Sequence, residues 1–452
     1  MSTRGPDITC DVVIIGGGPS GATAALALAR AGLKALVIEK AAFPRFHVGE
    51  SFLPSNFELI RALGLEPELR KLPHVVKFGA EFAFGYGEET TRFCFDEGLD
   101  GSDNETFNIA RAPFDAMVLR EARKAGAEVL EEMAVRRVLH LEDGHAEVEL
   151  SDGRRVKGQF LFDASGQATF LGRHFGRRRG FAHHRKVAYF GHFEDVARLS
   201  GREAGYPTVV MCDEGWFWLI PIDEKRTSIG LVMDVDKARL VNAEPHEMLF
   251  WGIRWCPLLR ERTAEAVYPA RNHVIADFSY TCAPYAGPGY FLIGDAAIFL
   301  DPIFSTGICL GMKGALEATE AVVGLLSGRV RAAAVRRRYG RLVKRWSSVF
   351  FRLVELYHRH AFRELFMHGQ GPIQVNRAVI SVLAGHVFPR PAWSLRWRLW
   401  AFEWMIRVQQ HFALVPRRRS FSLLAEAGRG AAEGADRASG EALATTPAEA
   451  LG

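Results

Sequence analysis

The 452-residue chain holds only six cysteines, Cys10, Cys94, Cys212, Cys256, Cys282 and Cys309, and they are scattered. No two form a C-x-x-C pair and none has histidine partners at zinc-ligand spacing, so neither a metal ribbon nor a disulfide framework is indicated. They read as small buried hydrophobes in a reducing compartment, and no metal site is expected. Long apolar runs are missing too: no stretch reaches the ~20 uninterrupted apolar residues of a membrane span. The nearest candidate, 12–31, follows Asp11 and is broken by a glycine cluster, which argues against a signal peptide. Nor does one sign of charge dominate. The 57 Lys and Arg against 52 Asp and Glu leave +5, too little on this length to argue for a nucleic-acid partner. A cytoplasmic protein is the expectation. What is present, 48% apolar and 24% charged residues, is the composition of a folded globular chain of two to three domains.

Residues 10–15 read as a buried strand, 16–21 as a tight turn, 22–31 as a helix and 33–38 as a second strand ending at Glu39, a βαβ unit. A second strand–turn–helix runs through 290–293, Gly294-Asp295 and the Gly/Ala-spaced run from Thr306 toward Leu326. Short alternating segments at 75–84, 147–150, 160–162, 216–220 and 228–232 read as strands of a mixed sheet. The fold class expected is α/β: a Rossmann-like nucleotide-binding domain interleaved with a mixed β-sheet substrate domain, followed by a C-terminal helical region. The boundaries that follow are 1–74, 106–182 and 270–328 for the first, 75–105 and 183–269 for the second, and 329–415 for the helices. Residues 416–452, rich in Ala, Gly, Glu and Ser without periodic large apolars, read as a disordered tail.

Two basic runs stand out. Residues 329–363 carry eleven Lys and Arg against one acid, Glu355, and 173–186 carry six with none. Such runs are mainly solvated faces, and an acidic carrier protein is the functional alternative. The Trp- and Arg-rich segment 393–412 reads as an amphipathic helix packed on the chain's own core rather than on a membrane.

Gly16-x-Gly18-x-x-Gly21 follows a strand and opens a helix. The first glycine permits the tight turn, the second lets backbone approach a pyrophosphate, and the third lets helix and strand pack closely, while the helix start stabilises the phosphate charge. Glu39, at the end of the next strand, can accept from both ribose hydroxyls and would repel a 2′-phosphate. No second fingerprint of this kind occurs. The single site is therefore assigned to FAD, and Asp295 of Gly294-Asp295 to a ribityl hydroxyl.

The motifs Gly16 to Gly21, Phe43-Pro44-Arg45-Phe46-His47-Val48-Gly49-Glu50-Ser51, Trp216-Phe217-Trp218-Leu219-Ile220-Pro221, and Gly294-Asp295 with Asp301-Pro302-Ile303-Phe304-Ser305-Thr306-Gly307 together resemble the flavin-dependent halogenases. The resemblance implies an aromatic-hydroxylase type of FAD fold. It places Gly16, Gly18, Ser20, Gly21, Glu39, Gly294 and Asp295 at the cofactor, and Arg45, Arg111 and Asp163 of Asp163-Ala164-Ser165-Gly166 as further flavin-side residues. It also implies a reaction in which FADH2, O2 and chloride or bromide give hypohalous acid that passes down a tunnel to a lysine, with reduced flavin supplied by a separate NAD(P)H flavin reductase.

On that reading Thr306 and Gly307 hold the halide, since a buried ion needs compensating donors and backbone N–H groups at a helix start supply them. Trp216 and Trp218 alternate with Phe217, so both indoles share one face of a strand. The resemblance puts them beside the flavin, where they keep organic substrate from the oxidant. Lys77 falls in Val76-Lys77-Phe78-Gly79-Ala80-Glu81-Phe82-Ala83-Phe84. The alternation turns Val76, Phe78, Ala80, Phe82 and Phe84 inward and sets Lys77 and Glu81 on the opposite face, towards water or a cavity. The resemblance makes Lys77 the residue that hydrogen-bonds hypohalous acid or becomes a haloamine.

Tryptophan halogenases carry a glutamate where this sequence has Phe304, so an electron-rich phenol or pyrrole, free or tethered to an acidic carrier protein, is expected rather than free tryptophan. Phe84 stands where relatives often have tryptophan. The alternatives are a single-component FAD monooxygenase that hydroxylates or epoxidises, and a non-catalytic flavin-binding protein.

Overall fold

The computed structural model describes residues 7–99, 105–181, 185–369, 374–388 and 390–430. Its nucleotide-binding half is a six-stranded sheet in the order Ala286–Gly287, Tyr290–Leu292, Phe160–Asp163, Val12–Ile15, Ala35–Ile38, Glu128–Leu130. All neighbours are parallel except the first pair. Central parallel strands are covered on both faces and therefore read as unbroken apolar runs, and Val12–Ile15 is buried at every position. The helix Pro19–Arg30 starts with proline at its first turn, where no intrahelical N–H is lost. Its small residues Gly21, Ala22, Ala24 and Ala25 are buried and let it lie close to the Gly307–Leu326 helix.

The second half is a seven-stranded sheet in the order His273–Ala276, Lys186–Glu194, Arg226–Asp234, Gly215–Pro221, Thr208–Cys212, Gly79–Phe84, Thr90–Cys94. The strand His273–Ala276 joins this sheet from beyond the boundary expected at residue 269. Phe82, Phe84, Phe93, Trp216 and Trp218 face a core completed by the C-terminal helices Ala332–Tyr357, His360–Met367, Val375–Leu383 and Trp393–His411.

Three expectations are corrected. First, 75–84 is not one strand. His74–Lys77 pairs antiparallel with Thr106–Ile109, whereas Gly79–Phe84 enters the large sheet. The switch occurs at Gly79, where a Cβ would meet the carbonyl of Phe93 at 2.0 Å and the ring of Tyr206 at 2.7 Å. The alternation is thereby broken: Lys77 and Glu81 do not share an exposed face, and both are buried in separate settings. Glu81 accepts from Arg92, Thr208 and Arg262.

Second, the tail does not begin at 416. Phe421 and Leu423 are buried, Phe421 lies against Gly85, and Glu214 accepts from Ser422 and from the backbone of Leu423 and Leu424. A few well-spaced apolar residues, too sparse to give a periodic signal, fix this segment. The rest of the expected tail, 431–452, lies outside the described residues. Third, the Trp393–His411 helix buries Leu395, Phe402, Met405 and Ile406, but Trp393, Trp400 and Trp404 point outward. Among the described residues no helix is long and apolar enough to cross a membrane.

Candidate active site

Gly16 has φ +102°, and a Cβ there would meet the carbonyl oxygen of Ala164 at 2.4 Å. A Cβ on Gly21 would sit 1.9 Å from the carbonyl oxygen of Gly16. Both glycines are thus required by the turn itself. Gly18 is different: it caps the Pro19–Arg30 helix without a side-chain bond, and a Cβ there would meet only the flexible guanidinium of Arg45, at 3.3 Å. The helix start is open to an anion. The Glu39 carboxylate accepts from the N–H of Gly17 at 2.7 Å and of Ala41 at 2.9 Å, which fixes it with lone pairs to spare for ribose hydroxyls. Arg45 and Arg111 converge on the buried Asp115: Arg45 reaches it at 3.3 Å and Arg111 makes a bidentate pair at 2.8 and 3.0 Å. These donors and the open helix start fit a dinucleotide.

Ser20 packs tightly against Gly294 and Gly311, since a Cβ on either would come within 2.5 or 2.2 Å of its hydroxyl oxygen. It joins the first helix to the second turn. Asp163 is placed elsewhere than at the cavity. Its two oxygens accept from the N–H groups of Ser165 at 3.0 Å and Leu171 at 2.7 Å, so it shapes the turn that carries Ala164 and Gln167 to the cavity wall. Burial raises its carboxyl pKa, against these hydrogen bonds.

One continuous cavity is lined by Gly18, Arg45, Arg111, Asp295, Thr306 and Gly307, by Trp216, Trp218 and Phe304, and by Lys77, Phe95 and Leu383. Gly294 takes φ +60°, and burial pushes the Asp295 carboxyl beside it up to about 6, with Arg111 opposing. Ser305 adopts φ +54° and delivers the chain to Thr306, which precedes the 20-residue helix Gly307–Leu326 without a side-chain cap. The first helical bond runs from Leu310 N–H to Thr306 O at 3.0 Å. The earlier N–H groups of this turn are therefore the unsatisfied donors of a helix start.

Trp216 and Trp218 are both buried, with ring centroids 5.7 Å apart. Trp218 donates its indole N–H to Ser228 at 3.1 Å. The indole N–H of Trp216 is buried without a partner among the described residues.

Lys77 is 4% exposed. Its Nζ donates to the Ser51 hydroxyl and to the Phe52 carbonyl, each at 3.0 Å, and lies 5.2 Å from the centre of the Phe95 ring. No carboxylate pairs with it among the described residues, and burial lowers its pKa to about 7. Desolvation disfavours the charged form, and the two neutral acceptors and the Phe95 ring do not offset it.

Several cavity residues had no role assigned from sequence. Ser51 orients Lys77. Glu50 accepts from Gly49 N–H at 2.8 Å and lies 2.9 Å from His192 Nε2. Burial, then Arg111, drops the His47 pKa to about 4. The Gly49-Glu50-Ser51 triplet was a visible signal, but its partners come from distant segments.

Comparison with known proteins settles the family. An FAD binding domain matches residues 9–336. A 1H-pyrrole-2-carbonyl-[peptidyl-carrier protein] chlorinase from Pseudomonas fluorescens is 30% identical, over 77% of this chain and 83% of that protein. The structure of the flavin-dependent brominase Bmp2 superposes with a TM-score of 0.79 at 29% identity, covering 89% of this chain and all of that one. The chain belongs to the flavin-dependent halogenases. Within this family of oxidoreductases a tryptophan 2-halogenase from Chondromyces crocatus is 32% identical over 75% of this chain, which spans only 66% of that relative's length. FAD is the cofactor that this halogenase fold binds, and the open helix start, Glu39 and the paired arginines are the groups that fit it.

Proposed function

We propose that this protein uses FADH2, O2 and chloride or bromide to halogenate an electron-rich phenol or pyrrole, free or carrier-tethered, with Lys77 as the residue that delivers the halogen. The observation that carries the reading is a buried amine, with no carboxylate partner among the described residues, sharing one cavity with Asp295, Thr306 and Gly307. Bound reduced FAD supplies the activated oxygen that turns halide into hypohalous acid. The chain's own residues do the rest. Backbone N–H groups at Thr306 and Gly307 hold the halide where its charge is offset by the helix start. Trp216 and Trp218 line the same cavity and, on this reading, stand between the flavin and Lys77.

Lys77 works as the neutral amine. Its two bonds, to Ser51 and Phe52, use both N–H groups of an uncharged nitrogen and leave the lone pair free. That lone pair takes halogen from hypohalous acid: an N–halogen bond forms, the O–halogen bond breaks, and an amine proton leaves with the oxygen as water. The ring carbon then takes the halogen and returns its proton to nitrogen. The Phe95 ring lies beside Lys77, Phe82, Phe93 and Leu383 line the same cavity, and the buried Phe304 brings no carboxylate. A substrate activated by its own heteroatom suits such a site. A separate NAD(P)H flavin reductase is the partner, because the chain carries one dinucleotide fingerprint.

The test is mass spectrometry of products from FAD, a flavin reductase, NADH, halide and a panel of free and carrier-bound phenols and pyrroles. The expected result is a product heavier by chlorine or bromine and dependent on halide. Oxygen insertion without halide would make the protein a monooxygenase. The pH profile tests the protonation state. The ordinary lysine value is 10.5 and the folded value about 7, so halogen transfer should climb as pH passes 7 and then level off. A rate that falls above pH 7 would mean the ammonium form does the work.

A further inference from the structure

The Trp393–His411 helix has two apolar faces. At 100° per residue, Leu395, Phe402, Met405 and Ile406 lie on one side and are buried. Trp393, Trp397, Trp400 and Trp404 lie together on the opposite side, and Trp393, Trp400 and Trp404 are 75%, 66% and 56% exposed. A helix on a soluble surface carries polar residues on its outer face; this one carries indoles, and Phe412 and Leu414 extend the exposed apolar surface beyond its end. The three exposed rings alone present on the order of 500 Å², at the upper end of what a monomer leaves uncovered.

The surroundings are cationic. Arg396 and Arg407 flank the indoles and are exposed. The acid on this helix, Glu403, is already paired with Arg407 and with Arg352 of the Ala332–Tyr357 helix. Arg352 lies on the same outward stripe of that helix as Arg337, Arg341 and Lys344, which are exposed and have no carboxylate partner among the described residues. The Arg352–Glu403 pair is thus a seam joining a row of indoles to a row of free cations.

We propose that this double stripe seats the protein on an anionic lipid surface, with the Trp393–His411 helix lying in the interface plane. Tryptophan suits the boundary between headgroups and acyl chains because its ring is apolar and its N–H is polar, and flanking arginines pair with anionic headgroups. Each basic residue brought near such a surface adds attraction that salt weakens. The inference stands apart from the halogenation reading, since binding is measured without turnover.

The full chain, loaded with FAD, is mixed with phosphatidylcholine vesicles or with mixed phosphatidylcholine–phosphatidylglycerol vesicles, and binding is read by co-sedimentation and by tryptophan emission. The expected result is binding and a blue shift with the anionic vesicles, at least ~10-fold weaker with the neutral ones. Trp400→Ser with Trp404→Ser should abolish the shift, and Arg337→Glu with Arg341→Glu should weaken binding, while FAD absorbance and melting temperature stay at wild-type values. Absence of binding, equal binding to both vesicle types, or wild-type binding by the tryptophan double variant would each overturn the proposal. So would a wild-type dimer in solution that the double variant converts to monomer, which assigns the indole face to a second copy of the chain.

Discussion

Lys77→Met should leave FAD binding and the oxidation of reduced flavin unchanged and cut halogenated product by ~10³-fold, equivalent to about 4 kcal/mol of transition-state stabilisation. Methionine keeps the bulk of the side chain, so the buried site is not emptied. On the proposed reading hypohalous acid should still form in the variant and escape, and a small-molecule trap should capture it in place of product. Wild-type product yield in the variant would remove Lys77 from the reaction. The same substitution has a stability signature. The wild-type amine binds its proton up to about 7 in the folded state but up to 10.5 when unfolded. Wild-type stability therefore rises with pH between those values, and below about 7 the full cost of burying the charge is present. The methionine variant escapes that cost, so its melting temperature should exceed wild type near neutral pH, with an advantage that shrinks towards pH 10. A lysine that is merely structural would show the melting behaviour without the loss of product.

Gly18→Val should abolish FAD binding in a protein that still folds. A branched side chain at this position occupies the space into which the pyrophosphate must come, while in the empty protein its only close neighbour is the mobile end of Arg45. A rise of ~100-fold or more in the dissociation constant, close to 3 kcal/mol, is expected by flavin titration, with melting of the apoprotein close to wild type. Gly21→Val makes the contrast. Its Cβ would collide with a backbone carbonyl oxygen at 1.9 Å, so that variant should fail to fold. Retained flavin affinity in Gly18→Val would show that the phosphates do not approach this turn.

The parts legible in the sequence were those set by local geometry. The glycine turn, the acid ending the second strand and the two same-side indoles each depend on residues within a few positions, and each is found as read. What escaped depends on partners far along the chain. Alternation through 76–84 assumes one continuous strand, and it failed because Gly79 must cross beneath Phe93 and Tyr206, residues the local pattern does not contain. Asp163 was placed beside the flavin by the family resemblance, but it is fully buried, does not line the cavity, and accepts from the backbone of Leu171 and Ser165. Phe421 and Leu423 carry too few apolar neighbours for a periodic signal, yet each fills a gap in a core built by other segments. The 393–412 segment does pack one face on the core as read, but its outward tryptophans were not foreseen, because composition reports how apolar a helix is and not how many of its sides are covered.

The strand switch at Gly79 has a bearing on how such proteins diversify. The amine is mounted on a two-stranded ribbon and the two indoles on the seven-stranded sheet, while Leu383 of a C-terminal helix adds to the lining. Three scaffolds meet around one space without sharing a strand. On the proposed reading, substitutions around Leu383 should change which acceptor is admitted without altering flavin oxidation, because that helix shares no strand with the other two scaffolds.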